Sequence, residues 1–177
     1  VLIIILLIIG PINLVFGQTQ GQTNVNLTLP SVALLDIESL TSKNFAMSFT
    51  APNEAGNAII TPASNSSIWI NFTSAVSASL TRRVTVQASG TLPAGISVTV
   101  QANGPLGSGA GTRGTAVGLL TLTTGVQNLI TGIGGAYTGN GVSNGFQVTY
   151  AASLGTNYSA LRSGSAVFTV IYTLTDN

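Results

Sequence analysis

The chain has no cysteine and no histidine in its 177 residues. Without cysteine there is no disulfide, no thiolate nucleophile and no anchor for a lipid on an N-terminal thiol, so packing and hydrogen bonds alone must hold the fold. Without histidine the usual base of nucleophilic catalysis is missing. Charge is scarce as well: five basic and four acidic side chains leave a net charge of +1. Such a surface has no field to steer nucleic acid or an anionic membrane toward it, and neither is expected as a partner. Helical periodicity is also lacking. Beyond Gly17 no segment repeats its apolar residues every 3.6 positions, and only "SVALLDIESL" and "NYSALRSG" suggest as much as one helical turn.

What the chain does have is apolar content, at 45% of residues. That is too much for a disordered polypeptide. Valine, isoleucine and threonine are abundant, and β-branched side chains suit a pleated surface. The polar surface is then mostly Thr, Ser, Asn and Gln, as is common in extracellular β proteins.

The first nine residues, "VLIIILLII", are unbroken apolar, followed by Gly10 and Pro11. A membrane-spanning helix needs about 20 such residues. The run reads instead as the core of a secretory signal over residues 1–17, with Val15 and Gly17 at the −3 and −1 positions of a cleavage site. The first residue is Val and no basic segment precedes the run, which reads as a truncated start. The competing reading is a short buried element of the fold. With the signal removed, residues 18–177 form one domain without a membrane span.

Along that domain, short alternating runs recur between Gly, Pro, Asn and Ser. They are "NVNLTLP", "VALLDIES", "FAMSFTAP", "NAIITPA", "SIWINFTS", "RRVTVQAS", "GISVTVQANG", "TAVGLLTLTT", "VQNLITGIG", "GFQVTYAAS" and "AVFTVIYTLTD". About eleven strands at this spacing predict an all-β, antiparallel β-sandwich, since parallel pairing would need crossover helices that have no room here. The glycine-rich stretches 104–114 and 132–145 read as long loops.

Candidate chemistry is thin. Gly109, Gly111 and Gly114 match G-x-G-x-x-G, but a dinucleotide site needs a helix after that loop, and "TAVGLLTLTT" reads as a strand. Asp36 and Glu38 would share one face of a strand, yet calcium needs six to eight oxygens and Glu54 and Asp176 are remote in sequence. Ser42 beside Lys43 is not a dyad spacing. No catalytic residue, cofactor or metal ligand is assigned, and the protein is expected to act without catalysis. Trp69 opposes Ile68, Ile70 and Phe72 on its strand, so a core built on that trio would turn Trp69 outward. With Tyr137 in a glycine-rich stretch, it forms a candidate contact surface for a carbohydrate. Asn26, Asn65, Asn71 and Asn157 each begin an N-x-S/T sequon, a frequent chance pattern in so Asn- and Thr-rich a chain.

The last segment, "GSAVFTVIYTLTDN", is apolar on both faces. It belongs in the middle of a sheet or against a partner, because as a bare edge it would invite aggregation. Together with "TNVNLTLPSVALL" near the start, it resembles the termini of pilin-like and fimbrial subunits of bacterial surfaces. In those proteins a signal precedes an extended segment with alternating apolar residues, and the last strand is strongly hydrophobic. Gly164 stands where they place a glycine ahead of that strand. The resemblance departs at the disulfide common in such subunits, and at Asp176, where they carry a penultimate aromatic. In texture the chain is also similar to exported β-sandwich proteins of the Bacteroidota that have no assigned activity.

The resemblance implies an immunoglobulin-like or pilin-like sandwich and self-association by strand addition, with Val25, Leu27 and Leu29 of residues 24–30 as donor side chains. The alternative is that 24–30 pairs within its own domain as an ordinary first strand. The expected role is thus an exported structural or adhesive subunit at the cell surface, in the periplasm or outside the cell, with a small carbohydrate-binding module as the alternative.

Overall fold

A computed structural model describes Gly17 and residues 20–177. The signal segment predicted over residues 1–17 lies outside the described residues apart from Gly17. The described chain is an antiparallel β-sandwich. Its strands are β1 (Val32–Ser39), β2 (Asn65–Ala75), β3 (Arg82–Gly90), β4 (Ile96–Leu106), β5 (Ala110–Ala116), β6 (Leu120–Thr121), β7 (Gln127–Tyr137), β8 (Gly145–Leu154) and β9 (Phe168–Asp176). A 3-10 turn at Tyr158–Ala160 realises the weak helical signal of "NYSALRSG".

Hydrogen bonding links the strands in the order β6-β4-β8-β2-β7-β3-β9, with β1 beside β2 and β5 beside β7. The β2–β7 link is only two residues long, Thr73 opposite Tyr137 and Ser74 opposite Ala136. At that corner the path splits into two layers, β1-β2-β8-β4-β6 and β9-β3-β7-β5. β2 manages the switch by pairing with β8 through Ile70–Phe146 and with β7 from Thr73 onward. Phe72 falls between the two ladders. Thr138, fully buried, accepts the Phe72 N–H through its hydroxyl at 2.9 Å and donates its own N–H to the Phe72 carbonyl at 3.0 Å. A buried backbone group left unpaired here would cost about 1–3 kcal/mol.

The core fills the space between the layers. Ile68, Ile70 and Phe72 of β2, Val98 and Val100 of β4, and Phe146, Val148 and Tyr150 of β8 face Val84 and Val86 of β3 and Leu129, Ile130 and Ile133 of β7. These are the alternating positions predicted for the inner faces, and burying one such side chain contributes about 1.5–3 kcal/mol. Phe72 and Phe146 stack across the β2–β8 boundary with ring centroids 6.1 Å apart. Gly145 opens β8 with φ of +74°, and a Cβ there would run into the Ile70 carbonyl, so both the turn and the close approach require glycine.

The structure redraws several predicted elements. Residues 104–114 are not a long loop: β4 and β5 nearly fill them, joined by a short turn at 107–109. Gly111 and Gly114 sit inside β5, which settles the G-x-G-x-x-G match as strand and turn. The predicted loop 132–145 likewise begins inside β7, and only residues 138–144 lie between strands. Glycine content marked these segments as flexible, but their glycines serve bulges and close approach to the neighbouring strand. "FAMSFTAP" and "NAIITPA" are not strands; they meet through one bridge, Thr50 to Ile60. "NVNLTLP" has no strand partner either, and residues 20–31 are exposed throughout.

Candidate functional site: an exposed arm and an open edge

Residues 20–31 form an exposed arm that meets the sandwich only at its end, where Leu29, Pro30 and Ser31 lie beside Ala75, Val76 and Ser77. Val25, Leu27 and Leu29 are 74%, 90% and 83% exposed. Alternation puts all three on one side of an extended chain, and Pro30 biases Leu29 toward extended backbone. The ordinary first-strand alternative for 24–30 is therefore not what this fold uses; the first strand is β1, which begins at Val32.

The arm ends at a buried arginine. Arg82 is 5% exposed, an unusual place for a guanidinium. Its Nε donates to Asp176 Oδ1 of β9 at 2.7 Å, its Nη2 to Ser31 Oγ at 2.9 Å, and its Nη1 to the Val32 carbonyl of β1. Nη1 also reaches Ser74 Oγ and the Ala75 carbonyl at 3.3 Å. One side chain thus fastens the root of the arm, the start of β1 and the end of β9 at a single corner. The planar fork of arginine suits such divergent acceptors better than a lysine would.

From that corner β1 and β9 run along the facing borders of the two layers. Among the described residues β1 pairs only with β2, and β9 only with β3. Their inward side chains Leu35, Ile37, Phe168, Val170, Tyr172 and Leu174 pack against the core yet stay only half-buried. Among the described residues β9 is therefore an edge strand, so of the two expected places, mid-sheet or against a partner, it does not take the first; its outer face is Ile171 among Thr169, Thr173 and Thr175. Its outward Ile171 and the preceding Val167 are exposed.

Midway along β9 the hydroxyls of Tyr150 on β8 and Tyr172 on β9 meet across the layers. Burial pushes the Tyr150 hydroxyl up to about 12, partly offset by its hydrogen bond to Tyr172. Tyr172 is raised chiefly by burial, then by the charge Tyr150 would carry and by the same hydrogen bond. Both remain neutral hydroxyls at neutral pH. Phe45 packs a tilted ring on Tyr150, 5.1 Å between centroids.

The two predicted contact aromatics fare differently. Trp69 is 6% exposed, so it does not offer an open stacking face. It does alternate with the inward Ile68 and Ile70, between Glu38 and Gln147 on the flanking strands, but that outer position is covered. Its indole N–H has no acceptor among the described residues. Tyr137, at the end of β7, is 51% exposed. Trp69 and Tyr137 therefore do not form one surface.

Tyr137 borders a depression of about 330 Å³ on the outer face of the β1-β2 layer, with Leu34, Asp36, Asn71, Thr73 and Asn140. Asp36 holds an exposed ion pair with Lys43 at 3.5 Å. Glu38 lies two residues on, opposite Trp69, and among the described residues no three His, Cys, Asp or Glu side chains cluster to hold a metal. Among the described residues no helix is long and apolar enough to cross a membrane.

Alternation marked the last strand, and the resemblance to fimbrial subunits singled out residues 24–30. Arg82 and the tyrosine pair were missed, because nothing local to "TRRV" tells which arginine will be buried. A basic residue beginning an otherwise apolar strand was the available signal. No protein family, no curated protein and no solved structure matches this chain.

Proposed function

We propose that this chain is an exported, non-enzymatic structural subunit of the cell surface that assembles by strand addition. The arm of one copy lies along the open border between β1 and β9 of the next. The observation that carries the reading is the pairing of two unmet needs. Val25, Leu27 and Leu29 have no apolar surface to cover, and the half-buried row Phe168, Val170, Tyr172 and Leu174 has an apolar surface to spare. Both rows repeat every second residue, so an added strand would seat its side chains between those of β9 while its backbone pairs with the free edge.

Chain direction favours a neighbour over self-closure. The arm runs toward the Arg82 corner, and so does β9. The arm's own fold-back would therefore lie parallel to β9 and require a reversal within Pro30–Ser31. A neighbour's arm can enter antiparallel, the slightly stronger pairing, without that turn.

The test uses the absence of cysteine. In the full chain Asn26→Cys and Thr173→Cys place one thiol on the arm and one on the outward face of β9. Oxidation is expected to give a ladder of covalent oligomers that disappears when either cysteine is omitted. Intramolecular disulfide alone would mean that the arm closes its own domain. Absence of any disulfide, with the protein monomeric at high concentration, would overturn the proposal.

A further inference from the structure

We propose that the depression beside Tyr137 is a binding site for a neutral sugar ring. This goes beyond assembly and uses the outer face of the sandwich, away from the β1–β9 border. The register builds a slot. Leu34 of β1, Thr73 of β2 and Tyr137 of β7 are directly cross-strand neighbours in one row. With strands about 4.8 Å apart, the two outer residues stand about 10 Å from each other. Between them the floor is the small Thr73, so the walls are an apolar Leu34 and an aromatic Tyr137. Leu34 is 64% exposed, and a large apolar side chain on the outer face of a Thr- and Asn-rich sheet has no packing role there.

The next row supplies polar groups. Asp36 sits opposite Asn71. The Asp36 carboxylate accepts hydrogen bonds and is open to solvent. Asn71 is buried to 4% exposure, with its Oδ1 enclosed beside Gly145, so it shapes the slot from below while Asp36 supplies the polar group a ligand can reach.

The wall formed by residues 138–141 is held rigid from below. Asn71 Nδ2 donates to the Gly141 carbonyl at 2.9 Å, and Asn144 Nδ2 to the Asn140 carbonyl at 2.8 Å. Asn144 Oδ1 in turn accepts the Ser108 N–H at 3.0 Å, and buried Thr138 is tied to Phe72. A wall already ordered spares a ligand the cost of ordering it.

These features select a ligand class. A pyranose has an apolar C–H face for Tyr137 and Leu34, and hydroxyl pairs for a carboxylate acceptor. Calcium would need six to eight oxygens, and the slot offers one carboxylate. An anion would meet Asp36, whose charge only the exposed Lys43 offsets.

Saturation-transfer NMR tests this on the full chain, since the signal is read on the sugar and tolerates an assembled protein. The probes are glucose, galactose, mannose and N-acetylglucosamine, each at millimolar concentration. At least one is expected to receive saturation, strongest on the protons of one ring face. Tyr137→Ala should reduce its affinity about tenfold or more, equivalent to at least about 1.4 kcal/mol. Tyr137→Phe should preserve it, because the ring and not the hydroxyl makes the contact. Asp36→Asn should weaken it without changing which ring face is saturated. No transfer to any of the four sugars, or transfer that survives Tyr137→Ala unchanged, would overturn the proposal. Both side chains are exposed enough that the variants should fold, and strand addition can fail without changing this result.

Discussion

β8 and β9 show two ways in which this molecule uses an apolar strand. β8 lies between β4 and β2, with both edges paired. Its inward residues Phe146, Val148, Tyr150 and Ala152 are buried, and its outward ones include Gln147, Thr149 and Ser153. Among the described residues β9 has one edge paired and one open, yet it carries as apolar an inward row as β8, Phe168, Val170, Tyr172 and Leu174, with Ile171 outward among threonines. Edge strands are commonly protected by charge or proline, and β9 carries neither before Asp176. The comparison teaches that strands of like composition are buried to different degrees according to how many of their edges are paired.

The contrast can be broken first at β8. Val148→Asp sets an unpaired carboxylate in a site with no exposure and should abolish folding, a loss of more than about 4 kcal/mol, read by denaturant titration. The matched Ile171→Asp on β9 should change monomer stability by about 0.5 kcal/mol or less while suppressing oligomers, because its side chain is already half in water. If both substitutions unfold the protein, β9 is an ordinary structural strand and the contrast is false.

Arg82→Met probes the corner where the two borders are tied. It removes charge-assisted bonds to Asp176, Ser31 and Val32, and should cost about 2–3 kcal/mol in denaturant midpoint measurements. Equal stability in Arg82→Met would mean that the side chain packs but does not fasten.

The tyrosine pair gives a pH signature for the open border. A tyrosine in the unfolded chain titrates near about pH 10, whereas Tyr150 in the fold is pushed up to about 12 and Tyr172 is raised as well. The folded state therefore holds these protons more tightly. Their contribution is complete below about pH 10 and is lost as pH rises through the folded values, at up to about 1.4 kcal/mol per pH unit for each group. Tyr172→Phe should flatten the alkaline limb of the stability–pH curve; an unchanged limb would place the titration elsewhere.

The smallest effect is expected from the arm. Deleting residues 18–30 should leave monomer stability within about 0.5 kcal/mol, since Val25, Leu27 and Leu29 bury little in their own domain. A large loss would show that the segment is an ordinary part of the fold.

Much of this could be read along the chain. Alternation located most of the long strands, because inward and outward residues differ in polarity even where charge is absent; it missed β5, whose glycines read as a loop. It failed at 45–52 and 57–63, where alternation is present but no neighbouring strand offers a ladder. It also misjudged Trp69, since the period shows which face a side chain takes and not what covers that face.

The amino-acid order by itself determined that this is an all-β protein without thiol or imidazole chemistry, and that residues 24–30 and the last strand alternate apolar side chains. Those are properties of composition and of period two, which act over a few residues. Only the tertiary structure decided that β9 is an edge, that Arg82 is buried beneath the root of the arm, and that Leu34, Thr73 and Tyr137 stand in one row. Each of those depends on which strands become neighbours, and strand order is set by long-range pairing and shared burial, to which no short stretch of sequence commits the chain.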